Sequence, residues 1–142
     1  MQSDAAQIAA TLERLGEQGE DIAPEVFARF IAQRPDCAGL FGISAPGHPP
    51  VGCGSMVFEI VCVLRDQAQG DGYVGGYLAD MTAGHKVFGV ERARDYADFL
   101  EALQAVVAAR LGAVWSRAER EAWQRQTQVL QARIRALVEG PG

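Results

Sequence analysis

Hydrophobic residues recur along this chain mostly every three or four positions, in blocks separated by Gly and Pro, the pattern of amphipathic helices. In the first block Ile8, Leu12 and Leu15 share one side of a helix expected over about residues 3–15, ended by Gly16 and Gly19. Asp21 and Pro24 suit the start of a second helix, since proline is tolerated in the first turn, where no internal N–H bond is needed. It carries Val26, Phe27, Phe30 and Ile31 and closes at Arg34, because the residue before Pro35 is pushed out of helical geometry. A short helical turn over 37–41 follows.

Residues 42–54 hold Pro46, Pro49, Pro50 and several glycines, and read as an ordered loop leading into a helix with Pro49 or Pro50 in its first turn. From 56 to 64 nearly every position is apolar, and its β-branched residues would also allow a buried strand. The neighbouring helical patterns favour a buried helix. After a glycine-rich break at 69–72, Val74, Leu78 and Met81 predict a helix that ends around His85. A stripe from Tyr96 and Phe99 through Leu103 and Val107 to Leu111 stops at Gly112. Ser116 and Glu119 match the capping-box spacing, in which each side chain satisfies a free backbone N–H. Trp123, Thr127, Leu130, Ile134 and Leu137 are expected on the buried face of the helix they open. The prediction is an all-α fold of six to seven helices.

With 142 residues and no repeat or linker, the chain is expected to be a single domain over 1–142. Its formal net charge of -5 argues against nucleic acid or an anionic membrane surface as partner. The basic residues between 117 and 135 alternate with acids and read as a solvated helix face. No stretch approaches the roughly 20 apolar residues that span a bilayer, and the first ten residues lack the basic start and apolar core of a secretion signal. Cys37, Cys53 and Cys62 are odd in number and form no C-x-x-C pair, so free thiols and a cytoplasmic location are expected.

The chain has two histidines, His48 in the proline-rich loop and His85 near the end of a helix. A lone histidine on an apolar helix face is more often structural than functional. The run from Leu78 through His85 to Gly89-Val90 changes that weight, together with Tyr96, Leu111-Gly112 and Ala122-Trp123. It resembles the globin family, and looks most like single-domain bacterial haemoglobins and the globin domain of flavohaemoglobins. Val26-Phe27, Phe30, Arg34-Pro35-Asp36 and Leu40-Phe41 are similar to the family's N-terminal half.

The resemblance implies a globin fold enclosing haem b (iron protoporphyrin IX), with His85 as the axial ligand to iron. It implies Phe41 as an aromatic wall, Phe27 as the distal residue of the second helix, and Met81, Val90, Tyr96 and Phe99 as cofactor contacts. Without it, Phe27, Tyr96 and Phe99 would be core residues of any helical bundle. Where these globins place a Gln or His on the distal helix, counting back from His85 gives Cys53, flanked by Gly52 and Gly54, with Val57 one turn on. Phe27 stands where a Tyr is common, and Thr127 where some members carry a Tyr on the last helix. The distal side therefore reads as apolar and poor in donors. His48 reads as a solvent-facing loop residue, with a swing inward as the alternative.

The function implied is reversible binding of a diatomic gas, O2 or else NO or CO, by a monomer or homodimer. Nitric-oxide dioxygenase or peroxidase-like activity is the enzymatic alternative. It would need an external reductase, since the chain ends just past the last globin-like helix and no flavin domain is expected in it. A haem-free sensor or interaction module is the third reading. Fold alone does not choose among them.

Overall fold

The computed structural model of the protein describes residues 2–19, 21–41 and 53–140. These form six α-helices and two short 3-10 turns, and no strand occurs among them. Helix α1 spans Asp4–Gln18; the Ser3 hydroxyl accepts the Ala6 N–H at 3.2 Å at its start, and Gly19 ends it in the left-handed region at φ 69°. Helix α2, Ala23–Gln33, starts where the Asp21 carboxylate accepts the Ala23 N–H at 2.9 Å, and a 3-10 turn over Pro35–Phe41 follows it.

Helix α3, Cys53–Gln69, contains the whole apolar run, so the helical reading of that run holds over the strand. Helices α4, Tyr73–Val87, and α5, Ala93–Leu111, follow. A 3-10 turn over Gly112–Val114 leads to α6, Arg117–Glu139. Helix α1 packs against α3 and α6, while α5 lies against α2 on one side and α6 on the other. The core between them centres on Phe27, Phe30, Leu64, Leu103 and Trp123, all essentially without exposed surface.

The capping box at the start of α6 forms by half. The Ser116 hydroxyl accepts the Glu119 N–H at 3.0 Å, as expected. Glu119 does not return the bond to a backbone N–H. Its buried carboxylate accepts the Ser116 and Thr11 hydroxyls at 3.2 and 3.1 Å and pairs with Arg14 at 3.0 Å. Thr11 in turn accepts the Trp115 indole N–H at 3.0 Å, so one buried carboxylate joins α1 to the entry of α6. At the other end of α6, Leu137 is 44% exposed, and Val138, one turn after Ile134, takes the inward position expected for it.

A second polar hub ties α2 to α5. Arg34, buried just after α2, donates to Asp95 and Asp98 of α5 at 2.6 Å each and grips both carboxylate oxygens of Asp36 at 3.2 and 3.0 Å. Arg92 adds weaker contacts to Asp36 at 3.3 Å and to Asp95 at 3.4 Å. The Arg34 guanidinium holds the Asp36 carboxyl well below the usual carboxylate range.

That depression links the hub to acid stability. A carboxyl that gives up its proton more readily folded than unfolded stabilises the fold fully above its unfolded value of 3.8, and the contribution drains away as pH falls below it. Thermal unfolding followed from about pH 5 to pH 2 should therefore fall more steeply for the natural protein than for Asp36→Asn. Parallel acid limbs would show that Asp36 does not contribute this linkage.

Candidate functional site

Helix α4 turns two faces inward. Val74, Leu78 and Thr82, four residues apart, are buried in the core. Tyr77, Met81 and His85, also four residues apart, line a cleft between α3, α4 and α5. The spacing of about 3.6 residues per turn places each set on its own stripe. Of the three apolar positions from which this helix was expected, Val74, Leu78 and Met81, only Met81 belongs to the cleft.

The cleft holds a cavity of about 70 Å³, and its floor is apolar. Helix α3 contributes Met56 and Ile60, α2 contributes Phe30, and α5 contributes Phe99 and Leu100. Phe99 is packed edge-on against Phe27 and Phe30, with ring centroids 5.3 and 5.4 Å apart, an arrangement worth about 0.5–1.5 kcal/mol per pair beyond burial.

His85 is half-buried at the cleft wall and is the one imidazole among the described residues that line it. Its Nδ1 lies 2.8 Å from the Met81 carbonyl oxygen, one turn back. A carbonyl only accepts, so Nδ1 carries the proton, and Nε2 of the neutral ring keeps its lone pair. This is how a helix orients an imidazole as a metal ligand: one nitrogen is tied to the backbone and the other is left basic. The ring faces Tyr96, with centroids 5.8 Å apart.

Tyr96 is buried, lines the cleft, and its hydroxyl has no hydrogen-bond partner. Burial, with a smaller contribution from the charge of Asp95, pushes its phenol up to about 12, so it is a standing donor at neutral pH. Two carboxylates also line the cleft. Asp95 is buried and held by Arg34, while Glu59 is exposed and accepts the Tyr77 hydroxyl at 2.9 Å.

Of the residues singled out from sequence, His85, Met81, Val90, Tyr96 and Phe99 come together in this cleft. Phe27 is fully buried one layer behind it, against Phe99, and Phe30 is the α2 side chain that reaches the lining. Val57 is turned into a different groove, beside Leu12, Leu15 and Val61, and Met56 and Ile60 take the cleft-facing positions of α3. The backbone of Phe41 closes the first 3-10 turn and that of Cys53 opens α3, but their side chains lie outside what is described. His48 lies outside the described residues.

Sequence reasoning did not single out Glu59, Tyr77 or Asp95 as site residues. Tyr77 was available from its spacing of four from Met81 and eight from His85. Glu59 and Asp95 carried no such signal, because their positions follow from which face each helix turns inward.

No helix among the described residues is long and apolar enough to cross a membrane. A search of curated proteins returns no significant relative. A family model described as Globin matches residues 24–134, from the start of α2 to the last turns of α6. The match takes in His85 and most of the cleft-lining helices, and it covers well over half of the chain: this protein belongs to the globin family.

Proposed function

We propose that the cleft holds haem b with His85 as the axial ligand, and that the protein binds a diatomic gas reversibly. The observation that carries this reading is the His85 imidazole, fixed by its Nδ1 bond to the Met81 carbonyl and set in the wall of an apolar cleft. The lining, apolar apart from a few polar groups at its edges, suits a flat apolar group. The partnerless Tyr96 hydroxyl gives the His85 side of the cleft an unused donor. Bound haem supplies an iron with one open coordination position, where O2, NO or CO can sit.

The protein's own residues then have separable tasks. Met81 orients His85 through its carbonyl. Phe99, braced by Phe27 and Phe30, keeps water from the inner edge. Met56 and Ile60 offer no hydrogen-bond donor from α3, so the gas meets an apolar wall there. A wall without donors favours reversible binding over turnover, since oxygen chemistry gains from polar groups aimed at developing charge.

Haem uptake is the first test. Replacing His85 with Ala should abolish the Soret band of the purified protein or leave one that returns only with added imidazole. An unchanged band would overturn the ligand assignment, and a natural protein that takes up no haem would favour the sensor or interaction reading.

The character of the wall is tested separately. Met56→Gln places an amide donor on a wall where Met56 and Ile60 offer none, and a new hydrogen bond of about 1–1.5 kcal/mol should slow O2 release about five- to tenfold. Unaltered release would mean that another group already bonds the gas.

A further inference from the structure

The cleft opens along one line. Its residues on α2 and α5 are buried, whereas Glu59 is exposed and Met56, Tyr77, Met81 and His85 are half-buried. The mouth therefore runs between α3 and α4. Among the described residues one hydrogen bond crosses it, from the Tyr77 hydroxyl to the Glu59 carboxylate at 2.9 Å. Tyr77 lies two turns before His85 on the same stripe, about 12 Å along the axis, so the bond closes one end of the opening. Seven residues further along α3, Asp66 accepts the hydroxyl of Tyr73, one turn before Tyr77. The two phenol–carboxylate bonds pair Glu59 with Tyr77 and Asp66 with Tyr73, as expected for antiparallel helices laced together from their shared corner up to the cleft.

We infer that the Tyr77–Glu59 bond is a clasp across the mouth of the cleft and that its opening limits exchange of the bound group with solvent. The inference rests on the haem-binding reading for what is exchanged, but not for the clasp itself. Helices α3 and α4 touch little elsewhere, so losing the bond loosens the mouth while the core behind it stays packed. Both phenols stay protonated as donors, Tyr77 being pushed up to about 12 by burial and by Glu59, and Tyr73 to about 12 by its bond to Asp66. The carboxylates make the bonds charge-assisted and stronger than neutral ones, though exposure to water takes back part of that gain.

Two measurements test the clasp. In the haem-loaded protein, Tyr77→Phe and Glu59→Ala should each speed haem transfer to excess apomyoglobin about three- to tenfold. The double variant should be no faster than the faster single one, since both remove one interaction. Glu59→Gln keeps an acceptor oxygen and should fall between the natural protein and Glu59→Ala. Additive effects, or rates unchanged in both single variants, would overturn the inference.

In the haem-free protein, Tyr77→Phe should raise amide hydrogen exchange over 56–60 and 77–85 while the global unfolding midpoint stays in place. Unchanged exchange there would overturn the clasp. A chain that takes up no haem but shows the faster exchange would keep the clasp and overturn only the haem-binding reading.

Discussion

Arg34 carries a single buried positive charge to the point where α2 ends and α5 begins, and three aspartates close around it. A guanidinium taken out of water costs several kcal/mol unless its fork of donors is filled, so the pairing fixes relative position as much as it adds stability. Two of the carboxylates, Asp95 and Asp98, belong to the first turns of α5. Their neighbours Tyr96 and Phe99 are the residues that α5 turns toward His85 and toward Phe27 and Phe30. The hub thus sets the rotation of α5 about its axis, and with it the inner wall of the cleft. Breaking it from one side leaves an unpaired charge in the interior, which costs about 3–5 kcal/mol in comparable cases.

The opposite wall is set by helix α4 through its own backbone. Successive stripes of Val74, Leu78 and Thr82 and of Tyr77, Met81 and His85 let one helix serve the core and the cleft together. Because His85 bonds a carbonyl of its own helix, the imidazole direction does not depend on any distant side chain. The ring then needs only a neighbour that limits its tilt, and Tyr96 provides it.

Features decided locally were legible in the sequence. Ser116 caps a helix, Gly19 (though not Gly16, which stays inside α1) ends one in the left-handed region, and Arg34-Pro35 closes another, because each acts within one turn of chain. The register of α3 was not legible for the opposite reason. From Met56 to Leu64 nearly every position is apolar, so periodicity contains no phase, and packing against α1 decides that Val57 goes one way and Met56 another. Counting back from His85 carries no better phase, since it crosses two helices and a corner. Glu119 shows a third limit: the spacing correctly predicted a cap, but Thr11 and Arg14, more than a hundred residues away in sequence, claim its carboxylate. His85 itself was legible only through the family resemblance, because a single histidine at helical spacing has no chemistry of its own to announce.

The cleft is uneven in its polarity, and that unevenness bears on what it can do. On the α5 side stand the Tyr96 hydroxyl, buried and partnerless, and Asp95, buried and neutralised by Arg34. On the α3 side the described inner positions are Met56 and Ile60, and the one polar group among the described lining residues, Glu59, is bound to Tyr77 at the mouth. A neutral group entering this space would therefore meet one free donor, the Tyr96 hydroxyl, on the side of His85 and hydrocarbon across from it. Burying a polar group without a partner costs about 1–3 kcal/mol, so the apolar side selects for small, weakly polar molecules and against water or ions. For the proposed gas-binding site this divides the work: the α4 and α5 side fixes the ligand to iron, and the α3 side selects by excluding what it cannot solvate.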